Sequence, residues 1–396
     1  MSLTRRAALA LPFAVAAAPA HVRAQTVPRL GVLTTLSGPA ADGAGTGSVL
    51  AARMAVEDAG GGAEILVADM GDRPDVGAAQ ARAWFDGGVA AIADVPNSAT
   101  ALAVADLARA RNRLALFSGA GSTALTAGCP AHVIQWTYNT RALAVALARG
   151  VVAGGGGVAG GGGVADGVVA GGGRRWFFLT VDYAFGHALQ ADATAVIVDS
   201  GGSVIGARVF APTTLDFAAL LLDARASGAE IIGLACTGAP FETLVKQAAE
   251  FGLAARLAAL LCLTTNVHAI GLDAAQGLRV VAPFYHGRDA ATRAFTARFA
   301  PRNRGIPPTI VHAGVYAATQ HWLRCAPTLD GAATVTAMKA RTAEDTLFGE
   351  SVLRADGTVA HPMGLYRVKS PGESTGPWDL YAPVDTVTDA FGPAAC

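Results

Sequence analysis

Residues 90–122 read AAIADVPNSATALAVADLARARNRLALFSGAGS, and the fold follows from them. Ala90 to Val95 is an apolar strand, Pro96-Asn97-Ser98 a polar turn, and Ala99 to Arg109 a helix. Leu114 to Phe117 is a second strand, running into Ser118-Gly119-Ala120-Gly121-Ser122. Strands that are apolar throughout are covered on both faces, and a helix between two of them makes the pair parallel. Upstream, Leu30 to Thr34 is a strand, followed by a helix through about Asp58, a strand at Ile65 to Ala68 and a helix at Val76 to Phe85. Downstream the alternation restarts at Trp176 to Val181, with a helix at Ala184 to Asp199 and strands at Val204 to Phe210, Ile231 to Ala235 and Leu257 to Leu261. Two such blocks predict an α/β fold of two doubly wound parallel-sheet lobes. The length of 396 residues suits two domains of roughly 150 residues each.

The chain is 52% apolar, yet no stretch of about 18 apolar residues runs free of charges and glycines. The N-terminus has a different character. Arg5 and Arg6 precede an apolar run from Ala7 to Ala20, and Val22-Arg23-Ala24 follows as a small-x-small cleavage signal. This is the anatomy of a secretory leader over residues 1–24. Thr4-Arg5-Arg6-Ala7-Ala8-Leu9 is close to the twin-arginine signal, with Ala8 where that signal usually has Phe. No cysteine follows the cleavage point, so the mature chain is expected free in the periplasm. Removing the leader leaves 27 basic against 30 acidic residues, a net charge of −3, with no basic stripe to bind nucleic acid.

Export permits disulfides. Of the five cysteines, Cys236 and Cys262 end apolar runs and read as core residues, while Cys129 and Cys396 lie in polar settings and are candidates to pair. Residues 151–173 interrupt the alternation. Twelve of these 23 residues are Gly, which marks a flexible insertion. Its GxGxxG match at Gly155–Gly160 lacks the preceding strand and following helix that a dinucleotide site needs.

Signatures of catalysis are missing. There is no GxSxG, HExxH, GxxxxGK[ST] or EF-hand loop, and no His pair has metal-ligand spacing, so no metal or cofactor is expected. Asp94 and Asp182 end strands, where α/β enzymes place acids, but neither has an evident His or Cys partner close in sequence. The reading is a binder, not an enzyme.

In doubly wound sheets ligands sit at the carboxyl ends of strands. Four strand-end loops stand out: Leu36-Ser37-Gly38-Pro39, Pro96-Asn97-Ser98, Phe117 to Ser122, and Asp182-Tyr183-Ala184-Phe185-Gly186. Ser98 and the 119–122 segment offer hydroxyls and backbone N–H groups at helix starts, a setting for a carboxylate or another small anion. Ser98 also has the composition of a helix N-cap. Tyr183 and Phe185 offer rings, either to a ligand or to the following helix.

Taken in order, Ser37-Gly38-Pro39, Asn97-Ser98, Ser118-Gly119-Ala120-Gly121, Trp136-Thr137-Tyr138, Asp182 to Gly186 and Gln247-Ala248-Ala249-Glu250-Phe251-Gly252 resemble the periplasmic leucine/isoleucine/valine-binding protein family, the type I periplasmic binding proteins. The resemblance runs from about Leu30 to Tyr381 and leaves out the glycine-rich insertion. It implies two lobes joined by a three-strand hinge, residues 27–138 with 283–343 and residues 139–282 with 344–396. It further implies a monomer that closes on a small molecule and delivers it to the permease and ATPase subunits of an ABC importer. The ligand carboxylate then maps onto Ser98 and the backbone N–H groups of Ala120 and Ser122. A covering aromatic maps onto Tyr183, and second-lobe contacts map onto Thr237, Gly238, Thr264 and Asn266, with Tyr285 at the cleft or hinge. Amino-acid binders of the family carry a second-lobe acid for the α-ammonium. The matching stretch here, Leu263-Thr264-Thr265-Asn266, has none, and Asp42 is the one acid near the first loop. A buried ammonium without a counter-charge costs several kcal/mol. The expected ligand is therefore an aromatic or short aliphatic acid, with branched-chain amino acids or amides as the alternative. A sensor feeding a regulator is the competing role.

Overall fold

The structure is a computed structural model that describes residues 27–37, 41–152, 173–253, 256–343, 347–394 and 396. The expected leader, Gly38-Pro39 and most of the glycine-rich insertion lie outside the described residues.

The first lobe begins with β1 (Arg29–Thr34), α1 (Gly45–Asp58), β2 (Glu64–Asp69), α2 (Pro74–Asp86), β3 (Ala91–Asp94), α3 (Ser98–Arg111), β4 (Leu114–Phe117) and β5 (Val133–Gln135). Their sheet has the order β2-β1-β3-β4-β5, with every pair parallel. Every residue of β3 and β4 is buried, as the continuous apolar runs require.

The second lobe carries α4 (Thr140–Val152), β6 (Arg175–Val181), α5 (Ala184–Asp199), β7 (Ser203–Phe210), α6 (Ala218–Ala226), β8 (Ile231–Ala235), α7 (Ala239–Glu250), β9 (Arg256–Ala259), α8 (Thr264–Ile270), α9 (Leu272–Ala275) and β10 (Arg279–Ala282). The chain then runs through α10 (Ala290–Phe299), α11 (Ile310–Arg324) and α12 (Gly331–Ala340), a short β11–β12 pair (Val352–Leu353, Val359–Ala360), β13 (Met363–Val368) and β14 (Tyr381–Val387). The second sheet has the order β14-β13-β10-β9-β8-β6-β7. The strand runs predicted a parallel sheet, but this one is only parallel-dominated: β13 lies antiparallel to both β10 and β14.

The lobes exchange chain three times: between β5 and α4, between β10 and α10, and again between α12 and β13. On the last passage Thr358 bridges Gln135, so the chain runs beside β5 before it joins the second sheet. Helix α11 belongs to the first lobe and packs on α1, where Gln320 Nε2 donates to Ala55 O at 2.8 Å and Tyr316 Oη to Asp58 Oδ2 at 2.7 Å. His312 is buried in this contact. Its Nε2 donates to Ala44 O and its Nδ1 accepts from Thr309 N, and burial pushes its pKa down to about 4, so it is neutral. A Cβ at Gly47 would run into the His312 ring, which explains the glycine in the first turn of α1.

Cys129 and Cys396 form a disulfide, with Cα atoms 6.5 Å apart, tying the loop after β4 to the chain's end. Cys236 and Cys262 are buried thiols, as read, and Cys325 is a half-buried one. Among the described residues no helix is long and apolar enough to cross a membrane.

Candidate functional site

The site is built from the carboxyl ends of β3 and β4. After β3 the chain passes through Asp94 (φ 78°) and Val95 (φ 53°) into Pro96-Asn97. Asn97, not Ser98, caps α3: its Oδ1 accepts from Ala99 N at 3.0 Å and Thr100 N at 3.1 Å, and its Nδ2 donates to Asp72 Oδ1 at 3.0 Å. Ser98 is the first helical residue, half-buried, and its hydroxyl is not needed to cap the helix it opens.

The loop after β4 has an unusual division of its backbone groups. Its five carbonyls are all engaged by the chain from Gln135 to Thr140. Thr137 Oγ1 donates to Ser118 O at 2.7 Å and Tyr138 Oη to Gly119 O at 2.9 Å. Gln135 Nε2 reaches both Ala120 O (2.9 Å) and Ser122 O (3.2 Å), and Thr140 N donates to Gly121 O at 2.8 Å. The N–H groups of Gly119, Ala120, Gly121 and Ser122 have no acceptor among the described residues. Four successive N–H groups at the carboxyl end of β4 are thus left without an acceptor among the described residues, while every carbonyl of the loop is engaged. Glycine at 119 is obligatory, since a Cβ there would lie 2.6 Å from Pro96 Cα. Ser122 accepts from Ala124 N, capping a short 3-10 turn, and its hydroxyl hydrogen is left for a ligand.

Across the lobe boundary, α5 supplies two rings. Tyr183 and Phe185 stack with centroids 6.2 Å apart. Phe185 is buried against the loop: a Cβ on Gly121 would sit 3.0 Å from its Cε2 and 2.9 Å from Tyr138 Cε2. Phe185 is thus the packing contact where the lobes meet. Tyr183, stacked on it, is 38% exposed. Burial of its hydroxyl first, then the neighbouring Cys236 thiol and the Asp72 carboxylate, hold its pKa above the ordinary tyrosine value, so it stays a neutral donor.

The other second-lobe candidates divide. Thr237 and Gly238 are half-buried at the start of α7, and Gly238 has φ 72° with open space beside it. Thr264 is buried with an unpartnered hydroxyl. Asn266 is occupied in holding its own loop: its Oδ1 accepts from Leu263 N at 2.9 Å and its Nδ2 donates to Glu242 Oε1 at 2.8 Å. Tyr285 serves the hinge, donating to Trp378 O and accepting from Leu380 N. It borders a cavity of about 680 Å³ lined by His286, Arg288, Lys369, Trp378 and Asp379. Arg288 pairs there with Asp289 and Lys369 with Asp379, while Arg293 donates to Gly287 O.

Several groups carry no functional signal in the sequence. Gln135, Thr137 and Tyr138 hold the loop, yet Thr137 and Tyr138 stand out only as part of the family pattern and Gln135 does not stand out at all. Glu242, in the first turn of α7, brings a carboxylate to the start of α8, where the sequence had shown none. Asp182 does have a partner close in sequence, since His187 Nε2 lies 2.9 Å from its Oδ1 with both side chains at least half exposed. Asp42 is exposed. Among the described residues no cluster of His, Cys, Asp and Glu could hold a metal.

The family model described as periplasmic binding protein matches residues 28–375. A periplasmic binding protein from Burkholderia mallei is 33% identical, with 91% of this chain and 94% of that chain covered and a TM-score of 0.82. A branched chain amino acid ABC transporter periplasmic ligand-binding protein from Burkholderia xenovorans LB400 is 32% identical, covering 92% and 97%, with a TM-score of 0.81. The fold is shared also by an R. palustris ABC transporter solute binding protein in complex with benzoate, at 16% identity, 94% and 99% coverage and a TM-score of 0.77. A search of curated proteins gave no match. Two α/β lobes, three crossings between them and a family match over most of the chain place this protein in the type I periplasmic binding protein family.

Proposed function

We propose that this chain captures a small carboxylate-bearing solute, an aromatic or short aliphatic acid, for an ABC importer. The observation that carries the reading is the 118–122 loop: five carbonyls held from behind, and four N–H groups without acceptors among the described residues. The Ser98 hydroxyl and the start of α3 add donors and partial positive charge beside it. Tyr183 covers the ligand from the other lobe. Contacts to both lobes exist only when the cleft is shut, so ligand shifts the hinge equilibrium toward closure. On this reading the lobes comprise residues 27–138 with 283–343 and 139–282 with 344–396. The protein works as an exported periplasmic monomer without cofactor or turnover, and the closed form is presented to the permease and ATPase subunits.

Glu242 favours a second reading. A carboxylate at the start of α7, hydrogen-bonded only by the Asn266 amide among the described residues, suits the α-ammonium of an amino acid. The Burkholderia xenovorans relative is a branched chain amino acid ABC transporter ligand-binding protein, which supports the same alternative. Calorimetric titration of the mature protein with benzoate and with leucine separates them. Benzoate binding with no response to leucine is the expected result, and tight leucine binding with no response to simple acids overturns it. Recovery of intact ligand after long incubation supports a binder over an enzyme, and permease and ATPase genes beside this one support transport over sensing.

A further inference from the structure

Asp94 ends β3, at the centre of the first sheet and directly behind the anion-binding loop. It is 0% exposed, and neither carboxylate oxygen has a hydrogen-bond partner among the described residues. Two successive non-glycine residues with positive φ, Asp94 and Val95, cost about 1–2 kcal/mol each and persist only where the surroundings impose them. Here they turn the carboxylate off its strand alternation toward Thr34 of β1 and Ser48 of α1, whose hydroxyls face it without reaching hydrogen-bonding geometry. From β4 it meets the anion-binding loop itself, since a Cβ on Gly119 would lie 3.3 Å from Asp94 Oδ1.

The other ionisable groups around it bring no positive charge. Tyr138, on the first crossing, feels the charge of Asp94 and is held neutral by burial and by that charge. His312 of α11 is neutral and engaged with Ala44 and Thr309. Asp72 stands beyond Asn97 and is acidic itself. No Lys or Arg contributes to the ionisation of Asp94 among the described residues.

We propose that Asp94 makes anion capture proton-coupled: the closed site holds the ligand's negative charge on the Gly119–Ser122 loop together with a proton on Asp94. This rests on the anion-binding reading of that loop given above. A carboxylate ligand and an ionised Asp94 on the two sides of one glycine repel, so a bound anion favours the protonated acid. By reciprocity the protonated protein binds the anion more tightly. Burial already pushes the Asp94 pKa up to about 6, against the opposing pull of Thr34 and Ser48, which places the switch within reach of ordinary periplasmic acidity. Asp94 touches no ligand in this scheme. It is a positioning residue that sets the pH dependence of binding.

Carbon-13 NMR of the full mature chain labelled at aspartate carboxyls tests the coupling, with Asp94→Asn identifying the signal. Should that variant not fold, Ser48→Ala identifies it instead, by raising the midpoint. The Asp94 midpoint is expected near pH 6 in free protein and about one unit higher with whichever of benzoate or leucine binds. That shift corresponds to roughly tenfold weaker binding at pH 8 than at pH 5, and the difference is absent in Asp94→Asn. A free midpoint in the usual aspartate range, or one that bound ligand does not move, overturns the proposal and leaves the functional reading intact. If calorimetry shows that neither compound binds, the functional reading fails and the coupling falls with it.

Discussion

On the proposed function, the two sides of the site recognise a ligand by different means. In the first lobe the recognising groups are backbone N–H groups, set by hydrogen bonds from Gln135, Thr137, Tyr138 and Thr140 to the carbonyls of one short loop. In the second lobe the candidates are side chains, namely Tyr183, Thr237, Thr264 and Glu242, the last held by Asn266. A backbone cradle fixes the charge of what binds and is hard to alter by substitution. A side-chain wall is altered readily and decides which body carries that charge. On that reading the first lobe defines the ligand's class, and the second lobe its identity.

This division can be broken at either side. Gly119→Val has the largest expected effect. Its Cβ meets Pro96 backbone that cannot move away, so binding of every carboxylate falls by more than about 100-fold in calorimetry, whatever the ligand's body. Next is the pH dependence of stability. The Asp94 pKa is raised to about 6 in the native state from an ordinary value of 3.8, so between about pH 4 and pH 6 the folded protein keeps a proton that the unfolded chain has released. Stability contributed by this group is complete at low pH and is lost as pH rises through that window, by about 3 kcal/mol. Urea titrations should show that loss in the native sequence and its absence in Asp94→Asn. Ser98→Ala removes one charge-assisted donor and weakens all carboxylate ligands by about 1–3 kcal/mol, measured by calorimetry. Glu242→Gln sharpens the comparison most finely, leaving benzoate affinity unchanged and, if leucine binds at all, reducing its affinity by about 1–2 kcal/mol.

Much of the first lobe was legible in the sequence. The strands at residues 91–94 and 114–117 are apolar but for Asp94 at the end of the first, and that pattern points to a parallel sheet with binding loops at its carboxyl edge. Ser98 and the 118–122 loop followed from that rule. What holds the loop did not, because Gln135 sits in a three-residue strand and its two carbonyl partners lie 15 and 13 residues away. Glu242 was hidden for a related reason. In sequence it is an ordinary acid in a helix's first turn, and only the fold brings it to Asn266, 24 residues on. The strands at 363–368 and 381–387 were missed because an antiparallel edge carries mixed buried and open positions and no continuous apolar run. The pull of Asp94 off its alternation depends on positive φ at two non-glycine residues, which nothing in composition announces.

The central claim is that the first-lobe loop holds a carboxylate, and matched pairs of acid and amide test it most directly. Benzoate against benzamide and leucine against leucinamide, titrated into the mature protein, change the charge and leave the body alone. The account predicts that in whichever pair binds, the amide is weaker by about 100-fold or more, with the loss concentrated on the loop at residues 118–122. An amide that binds as tightly as its acid would contradict it.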